Sequence, residues 1–378
     1  MSDILTRHLA APIREDLKSK MVFLGGPRQV GKTTLAQSLI PGFREGHPAY
    51  LNWDYDLHRR KIKIGDWPRN ERLIVFDEIH KNKSWRNLIK GYYDTLKTTH
   101  SFLVTGSARL DHFRKGGDSL LGRYHYYRLH PYSVPELGYQ KNALQELMAF
   151  GGFPEPFHQK DHRNLRRWHL QRIDRLIRTD LRDWETVKDL DKIQTLAEDL
   201  PNRVGSPLSI ASLARDIEVD FKTMKRWIDV LSSLYYCFTI PPFGSKKIRA
   251  VKKEQKLYLW DWSQNESPGF RFENLVASQL LKYCHFIEDT EGHRMELRFI
   301  RDTDKREIDF VVIRDKKPLF AVESKTGESR VSAANYYFSE RTEIPYFYQV
   351  HTGNAHRQVS DRIEIIPFEE FCKKTGMV

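Results

Sequence analysis

The sequence is poor in cysteine and has no long apolar run. Its three cysteines among 378 residues lie far apart, without the density of a disulfide framework or the spacing of metal ligands. No apolar stretch approaches the ~20 residues that a membrane-spanning helix needs. The first residues lack the apolar core of a signal peptide. These absences argue against a secreted or membrane protein and predict a soluble protein of the cytoplasm with no membrane partner.

Positive charge is in clear excess. The formal net charge is +12 at pH 7. A basic balance favours polyanionic partners, and nucleic acid before a membrane surface. A solvated basic surface without a partner is the alternative. The length of the chain predicts two or three domains of ~150 residues each.

Buried parallel strands are indicated in the first third of the chain. Three short apolar runs, residues 21–24 (MVFL), 73–76 (LIVF) and 102–104 (FLV), are each followed at once by polar residues or glycine. Strands buried on both faces of a parallel sheet have this composition. The pattern reaches to about Pro135 and predicts an α/β domain.

A glycine-rich loop follows the first of these strands. Residues 26–34, GPRQVGKTT, fit the pattern G-x-x-x-x-G-K-[ST], and a helix is predicted from Thr34. Gly26 and Gly31 let the backbone amides surround phosphate groups. Lys32 would reach the β- and γ-phosphates of ATP, and the Thr33 hydroxyl would ligate Mg²⁺. The predicted nucleotide-binding residues are Gly26, Pro27, Arg28, Gln29, Val30, Gly31, Lys32, Thr33 and Thr34.

Two acidic residues end the second apolar run. Asp77 can hold the magnesium shell from the end of a strand. Glu78, the next residue, is placed to polarise the attacking water as a general base. An ordinary strand end is the alternative interpretation, but the phosphate loop upstream favours the functional one.

Further polar residues follow the third run. Thr105 and Ser107 both qualify as the polar group that orients the attacking water, and the sequence does not choose between them. Arg123 is the candidate arginine finger, acting on the nucleotide of a neighbouring subunit. Arg109 and Arg128 compete with it, and a surface arginine is the plain alternative.

The middle of the chain is predicted to be helical. Residues 164–182 carry apolar residues such as Leu170 and Ile177 at helical spacing, beside many arginines. This pattern predicts an amphipathic helix whose basic face is either solvated or a contact for DNA or a subunit.

Residues 207–240 suggest a winged helix-turn-helix. The predicted elements are a helix at 209–217, a second helix at 221–234 and a wing strand at 235–240. Lys222, Lys225 and Arg226 begin the second helix, where recognition helices meet DNA. Packing between domains is the alternative role. Residues 246–256 then form a basic run.

A hairpin in the last third brings charged residues together. Residues 308–313 (IDFVVI) and 318–325 (PLFAVESK) alternate as strands do, on either side of the polar turn RDKK. A turn centred on Lys316 would place Asp309 opposite Glu323, with Cβ atoms roughly 5 Å apart. Lys325 would share their face. Two facing carboxylates repel each other, so a divalent metal between them is one solution.

These motifs together resemble a family of bacterial and archaeal AAA-type ATPases. The resemblance rests on GPRQVGKTT, YLNWD (residues 50–54), VFDEIHK, TGSA, LLGR, GGFPE (residues 151–155) and KLYLWD (residues 256–261). In that family the ATPase domain precedes a winged helix and a nuclease-like domain. The resemblance implies an AAA-type parallel sheet, homo-oligomers such as a hexameric ring, and action on DNA.

The hairpin itself is similar to the core of PD-(D/E)xK nucleases. That resemblance implies that Asp309 and Glu323 bind Mg²⁺, assisted by the backbone carbonyl of Ser324. Lys325 would position the attacking water or stabilise the scissile phosphate, and Glu273 matches a helix glutamate of some members. Ile308 stands where a proline often precedes the aspartate. A charged hairpin without catalysis is the alternative.

The sequence therefore predicts an α/β protein of four parts. These are an AAA-type ATPase domain (1–135), a helical lid (136–204), a winged helix (205–255) and a mixed α/β nuclease-like domain (256–378). The predicted function is an oligomeric ATPase that binds branched or forked DNA and moves or remodels it, while the last domain holds or cuts DNA. The alternatives are an ATP-dependent switch whose last domain binds only a partner, and a DNA-binding regulator whose assembly ATP controls.

Overall fold

The computed structural model describes residues 6–106, 110, 120–181, 189–244, 254–327 and 330–378. The chain divides into two compact units, Met1–Pro131 and Tyr132–Val378. None of the helices described here is long and apolar enough to cross a bilayer.

The first unit alternates strands with helices. Its described strands are β1 (Met21–Gly25), β2 (Tyr50–Asn52), β3 (Leu73–Asp77), β4 (Ser101–Thr105) and β5 (Tyr124–Arg128). Its described helices are α1 (Ala10–Asp16), α2 (Lys32–Ser38), α3 (Asp56–Ile64) and α4 (Trp85–Leu96). The helix after the phosphate loop begins at Lys32, two residues before the predicted start, because Gly31 is already its left-handed N-cap.

A parallel sheet organises this unit. Within its described residues the five strands run parallel in the order β2-β3-β4-β1-β5. Val22, Val75 and Leu103 on the three inner strands are fully buried. This burial explains the unbroken apolar runs, and the predicted parallel sheet is confirmed. Register pairs both Asp77 and Leu24 with Thr105, so the carboxyl ends of β1, β3 and β4 meet at one edge, where open α/β sheets bind ligands.

The second unit begins with helices. The described ones are α5 (Ala143–Phe150), α6 (Pro154–Gln159), α7 (His162–Arg175), α8 (Leu190–Asp199), α9 (Ile210–Asp216) and α10 (Phe221–Ser233). The side chains of Ser209 and Asp220 cap α9 and α10, so both helices predicted for this region are present. Strand β6 (Cys237–Ile240) pairs antiparallel with β7 (Lys256–Leu259).

The amphipathic helix predicted for residues 164–182 is corrected in two respects. Helix α7 ends at Arg175 and continues as a π-helical segment, Leu176–Leu181, whose wider turns change the phase of the side chains. Leu170, predicted on the apolar face, is 69% exposed. The buried side of α7 is instead formed by Leu165 and Trp168.

The GGFPE and KLYLWD motifs pack together in this unit. Gly151 has φ 75° and ψ −175°, and a Cβ atom there would lie 2.7 Å from Asp261 Oδ1. The buried Asp261 carboxylate lies 3.6 Å from the guanidinium of Arg172, which stacks 4.2 Å from the ring of Phe153. Packing of these buried residues against one another therefore explains why the two motifs contain them.

A mixed sheet completes the second unit. Its described strands are β8 (Met295–Arg301), β9 (Glu307–Arg314), β10 (Lys317–Lys325), β11 (Phe347–His351), β12 (Arg357–Gln358) and β13 (Ile363–Pro367), in the order β12-β13-β11-β10-β9-β8. The accompanying helices are α11 (Pro268–Glu291), α12 (Ala333–Arg341) and α13 (Phe368–Thr375). Helix α11 packs against β8, β9 and β10. The predicted α/β class, with a parallel sheet followed by a separate mixed sheet, is therefore confirmed.

The β9–β10 hairpin reaches its register by a different route from the predicted one. The turn is formed by Asp315 and Lys316, both with positive φ, so Lys317 pairs with Arg314. The register then shifts by one residue between Pro318 and Phe320. The last pair, Val322 opposite Phe310, leaves Asp309 and Glu323 as the next residues along the two strands.

Candidate functional site

The phosphate loop joins β1 to α2 at the edge where the inner strands end. Gly26 and Gly31 have φ values of 136° and 96°, which side chains rarely adopt. A Cβ atom on Gly26 would lie 2.4 Å from the carbonyl oxygen of Leu129. Glycine is therefore required at the start of the loop both by its backbone and by the close approach of the chain after β5.

Lys32 lies inside this loop. Its side chain is buried, and its Nζ donates hydrogen bonds to the carbonyl oxygens of Gly26 at 2.9 Å and Pro27 at 2.6 Å. The ammonium group is thus held within the turn of the loop by the loop's own backbone. A phosphate oxygen bound there would meet a positive charge already in position.

Arg7 supports the loop from outside, and nothing in the sequence pattern indicated it. Its buried guanidinium donates to the carbonyl oxygen of Val30 at 2.8 Å and to that of His130. The side chain therefore ties the phosphate loop to the residues that follow β5. Arg7 is a single arginine in the segment TRHL, and nothing in this segment indicates a contact with the phosphate loop.

Three hydroxyl groups converge on the carboxylate of Asp77. Thr33 donates to Oδ2 at 2.9 Å, Tyr50 donates to the same oxygen at 2.5 Å, and Thr105 donates to Oδ1. Burial, reinforced by the charge of Asp77, raises the pKa of Tyr50 well above its ordinary value, so its hydroxyl stays a donor. The sequence assigns no role to the YLNWD motif, and this contact gives Tyr50 one.

The oxygen atoms at this edge suit Mg²⁺. The Thr33 hydroxyl and the Asp77 carboxylate are 2.9 Å apart at the mouth of the loop, and both are hard oxygen ligands of the kind that Mg²⁺ prefers. The structure thus brings together the two residues predicted to hold the ion.

Glu78 follows Asp77 in an unusual backbone conformation. Its φ is 57°, and its N–H donates to the carbonyl oxygen of Thr105 at 3.1 Å. Burial raises the pKa of its carboxyl group above the ordinary value, although Lys81, 3.5 Å away, opposes the rise. Non-glycine residues with positive φ are uncommon and are over-represented at functional sites.

The remaining predicted residues of the ATPase unit have mixed outcomes. Ser107 and Arg109 lie outside the described residues. Arg128 ends β5. Arg123 makes a two-pronged ion pair with Asp94, through Nε at 2.8 Å and a terminal nitrogen at 3.1 Å. The structure thus shows Arg123 on the surface and paired within its own chain.

A second cluster of charged side chains lies in the mixed sheet of the second unit. Asp309 on β9 accepts hydrogen bonds from the backbone N–H of Ser324 at 2.9 Å and from its hydroxyl at 2.7 Å. Lys325 on β10 donates to Glu323 Oε1 at 2.6 Å. Glu273 of α11 is close enough for the charge of Asp309 to act on it. The predicted residues Asp309, Glu323, Lys325 and Glu273 are therefore brought together.

Residues that the sequence reasoning missed complete the cluster. Lys256, at the start of β7, is 1% exposed. Its Nζ lies 2.5 Å from Glu307 Oε1, 3.3 Å from Glu273 Oε1 and 3.6 Å from Asp309 Oδ1. Tyr258, two residues on, donates to Glu273 Oε1 at 2.7 Å. In the sequence both residues belong to the KLYLWD motif, to which no role is assigned, and Lys256 also ends the basic run at 246–256.

Burial and charge perturb the ionisation of this cluster. Burial, aided by the charge of Asp309, raises the pKa of Glu273 to about 7. The same two causes raise the pKa of Glu323. Burial alone would lower the pKa of Lys256, but the charges of Glu273, Asp309 and Glu307 raise it above its ordinary value. Lys256 therefore stays charged among the carboxylates.

The oxygen atoms at this cluster fit a divalent cation only in part. Glu323 Oε2 is buried without a hydrogen-bond partner, as a metal ligand would be. Asp309 Oδ1 and Glu273 Oε1, however, already face Lys256. Among the described residues no group of three or more His, Cys, Asp or Glu side chains is arranged to hold a metal ion.

Three stretches of the chain match known protein families. Residues 18–138 match the family described as "AAA domain". This stretch is an AAA-type P-loop ATPase domain. The ATPase domain is followed by matches to two families described as domains of unknown function, DUF8612 over residues 141–263 and DUF4143 over residues 268–371.

Curated relatives are distant. An uncharacterized protein of Mycobacterium tuberculosis is 24% identical, over 68% of this chain and 57% of the relative. An uncharacterized protein of Methanocaldococcus jannaschii is 25% identical, over 75% of this chain and 72% of the relative. The chain thus spans little more than half the length of the mycobacterial relative.

Solved structures give only partial matches. The RuvB Holliday junction branch migration motor of Thermotoga maritima aligns at 20% identity and a TM-score of 0.30, covering 61% of this chain and 85% of RuvB. The ORC1 protein of Aeropyrum pernix in complex with DNA aligns at 12% identity and a TM-score of 0.34, covering 73% and 95%. Scores this low do not establish a shared overall arrangement.

Proposed function

We propose that the chain is an oligomeric ATPase that binds DNA, branched or forked, and uses ATP hydrolysis to move or remodel it. The observation that carries the proposal is the convergence of Thr33, Tyr50 and Thr105 on Asp77 beside the phosphate loop. This arrangement would hold the oxygen ligands of a nucleotide-bound cation. In the second unit, the nuclease-like part would hold or cut the DNA.

Residues of the phosphate loop and residues at or after the ends of β3 and β4 have distinct roles in this proposal. Lys32 binds the β- and γ-phosphates, and Thr33 and Asp77 hold Mg²⁺, which supplies positive charge at the reacting phosphate when bound. Glu78 accepts the proton of the attacking water, and its raised pKa makes it a stronger base. Thr105 or Ser107 orients that water. Arg123 leaves Asp94 to reach the nucleotide of a neighbouring subunit.

DNA binding is supported by charge. The chain has a net charge of +12. Lys222, Lys225 and Arg226 are exposed in the first turns of α10, where a recognition helix contacts DNA. Residues 205–255 would then be a winged helix, residues 136–204 a lid and residues 256–378 the nuclease-like domain. Of the basic run at 246–256, residues 246–253 lie outside the described residues.

The alternative function is an ATP-dependent switch. Its second unit would bind a partner and carry out no chemistry. The observation that favours it is the ion pairing of Lys256 with the carboxylates of the cluster, which leaves few of their oxygen atoms available to a metal. A third possibility is a DNA-binding regulator that works through the winged helix, with ATP controlling its assembly.

One comparison of ATPase rates separates these functions. The purified chain is assayed with no DNA, with single-stranded DNA, with duplex DNA and with a forked duplex, and Lys32→Ala serves as the inactive control. A DNA motor should hydrolyse ATP faster with DNA, and most with forked DNA. Equal rates in all four conditions would favour the switch.

The salt dependence of DNA affinity gives an independent test. Each phosphate neutralised contributes a slope of about −0.9 in log affinity against log salt on duplex DNA. Replacing Lys246, Lys247, Arg249, Lys252 and Lys253 with Gln should flatten that slope. Undetectable binding of every DNA form at low salt would reject DNA as the partner.

A further inference from the structure

The carboxylate cluster of the second unit already contains a cation of its own. Lys256 Nζ lies within 3.6 Å of oxygen atoms from Glu273, Glu307 and Asp309. These carboxylates come from α11 and β9, whereas Lys256 comes from β7 and is buried to 1% exposure. A buried ammonium group is stable only when paired in this way.

Two of the other oxygen atoms of these carboxylates accept hydrogen bonds, and the third packs closely against the backbone. Glu307 Oε2 accepts from Arg301 at 2.8 Å, and Asp309 Oδ2 accepts from the backbone and hydroxyl of Ser324. Glu273 packs against Gly205, where an added Cβ would lie 2.9 Å from Glu273 Oε2. A divalent cation with six oxygen ligands would have to break these contacts.

Charge within the cluster is nearly balanced without a metal. Four carboxylates, Glu273, Glu307, Asp309 and Glu323, face three cationic side chains, Lys256, Lys325 and Arg301. Among the oxygen atoms of these four carboxylates, as the structure describes them, Glu323 Oε2 is the one that is buried with no hydrogen-bond partner. The negative charge that would attract a divalent cation is therefore largely neutralised by the lysine and arginine side chains of the cluster.

We propose that Lys256 occupies the cation position of this cluster and keeps divalent metal out. The nuclease-like part then holds DNA without cutting it. This consequence for DNA rests on the proposed function, whereas the position of Lys256 among the carboxylates does not. Lys256 is a positioning residue that fixes Glu273, Glu307 and Asp309 through its charge. Removing that charge should convert the cluster into a divalent cation site.

The test measures Mn²⁺ binding to the nucleotide-free 378-residue chain by calorimetry and electron paramagnetic resonance. Wild type should bind no Mn²⁺ that depends on Asp309. Lys256→Met keeps most of the length of the side chain but removes its charge, and it should bind one additional Mn²⁺ at least tenfold more tightly than wild type. The double variant Lys256→Met/Asp309→Asn should lose that ion, which distinguishes it from metal bound in the ATPase domain.

Two results would overturn the inference. One is Asp309-dependent Mn²⁺ binding by wild type as tight as that of Lys256→Met. The other is a folded Lys256→Met that binds no additional Mn²⁺. Should Lys256→Met fail to fold, Lys256→Gln is used in the same way, and thermal unfolding of wild type with Mn²⁺ or with EDTA gives a separate reading. A melting temperature that Mn²⁺ raises in wild type but not in Asp309→Asn would also reject it.

The same preparations keep this inference separate from the proposed function. A missing effect of DNA on the ATPase rate of wild type would reject the DNA motor, whatever the Mn²⁺ result. If the Mn²⁺ results contradict the role of Lys256, DNA can still stimulate the ATPase rate, because the nucleotide site belongs to the first unit.

Discussion

The hydroxyl of Tyr50 donates a 2.5 Å hydrogen bond to Asp77 Oδ2, the same oxygen that accepts from Thr33. Tyr50 lies on β2 and Asp77 at the end of β3, and Leu51 pairs with Phe76 between the two strands. The tyrosine therefore orients the carboxylate from the neighbouring strand. Outer-shell partners of this kind hold a ligating group in the geometry that a metal requires.

Tyr50→Phe should weaken the use of Mg²⁺ while leaving the phosphate loop intact. We expect the Mg²⁺ concentration for half-maximal ATPase rate to rise about tenfold, with little change in binding of nucleotide without metal. Titrating Mg²⁺ at saturating ATP measures the effect. Tyr93→Phe is the matched control, since Tyr93 donates to the Ser19 carbonyl on the surface. An unchanged Mg²⁺ requirement in Tyr50→Phe would contradict this role.

Lys32→Ala and Glu78→Gln should separate binding from hydrolysis. Loss of the ammonium group held by Gly26 and Pro27 should reduce turnover roughly 100-fold or more. Glu78→Gln should keep ATP bound but slow turnover by about 10²–10⁴-fold, because it removes only the base. Equilibrium binding of a fluorescent ATP analogue and steady-state rates distinguish the two. Wild-type turnover in both variants would refute the nucleotide assignment.

Arg123 should act in trans once it leaves Asp94. Arg123→Ala is expected to reduce turnover by about 10³-fold, whereas Asp94→Asn, which frees the arginine from its two-pronged ion pair, should not. Mixing Arg123→Ala with Lys32→Ala subunits should restore activity at some interfaces. At these interfaces the Arg123→Ala subunit supplies an intact phosphate loop and the Lys32→Ala subunit supplies the intact arginine. No recovery, together with a monomeric mass when nucleotide is present, would reject the assignment.

The raised pKa of Glu273 should give the second unit a particular pH dependence. Because burial raises this pKa from 4.5 to about 7 in the folded protein, the folded state holds a proton that the unfolded state has lost, and stability falls as pH rises across this window. Glu273→Gln lacks this titration. Its free energy of unfolding relative to wild type should therefore rise between about pH 5 and 7, by up to about 3 kcal/mol, and then level off.

Urea unfolding at several pH values measures this difference. Glu291→Gln, at the exposed end of the same helix, is the control and should give a difference from wild type that varies little with pH. A difference between Glu273→Gln and wild type that stays constant across the window would show that Glu273 is ionised throughout.

Gly151→Ala should destabilise the second unit. The backbone at Gly151 is in a region that only glycine adopts readily, and a new Cβ would lie 2.7 Å from the buried Asp261 carboxylate. We expect a loss of about 3 kcal/mol in the free energy of unfolding. Gly138→Ala, also at positive φ but with nothing within 4 Å of the added Cβ, should cost about 1 kcal/mol. Equal losses in urea unfolding would contradict the packing argument.

Local patterns determined much of the ATPase domain. The phosphate loop could be read from residues 26–34 because the spacing of Gly26, Gly31 and Lys32 follows from how a single turn surrounds phosphate, a requirement that lies within one stretch of chain. The parallel sheet followed from apolar runs, since strands buried on both faces have no polar side to show. The placement of Asp77 and Glu78 at the carboxyl end of a strand followed from the same reasoning.

The hairpin shows where local reasoning is incomplete. The sequence suggested a turn centred on Lys316, but positive φ at Asp315 and Lys316 forms a two-residue turn, and a bulge near Pro318 restores the register. Two deviations from the expected pairing cancel before Asp309 and Glu323. The helix predicted for residues 164–182 is present as α7 and a π-helical segment, and Ile177 is buried as predicted, but Leu170 is exposed because Leu165 and Trp168 form the buried side of α7.

What the sequence by itself determined is the chemistry that a continuous segment can encode: the phosphate loop, the acidic end of β3 and the pair of carboxylates on the hairpin. Only the tertiary structure decided which distant side chains complete these sites. Tyr50 reaches Asp77 because β2 lies beside β3, and Lys256 reaches Asp309 and Glu273 because β7 packs against helix α11 and contacts β9 through Tyr258 and Phe310. Such contacts depend on long-range packing of buried charge, which leaves no periodic signal in the amino-acid sequence.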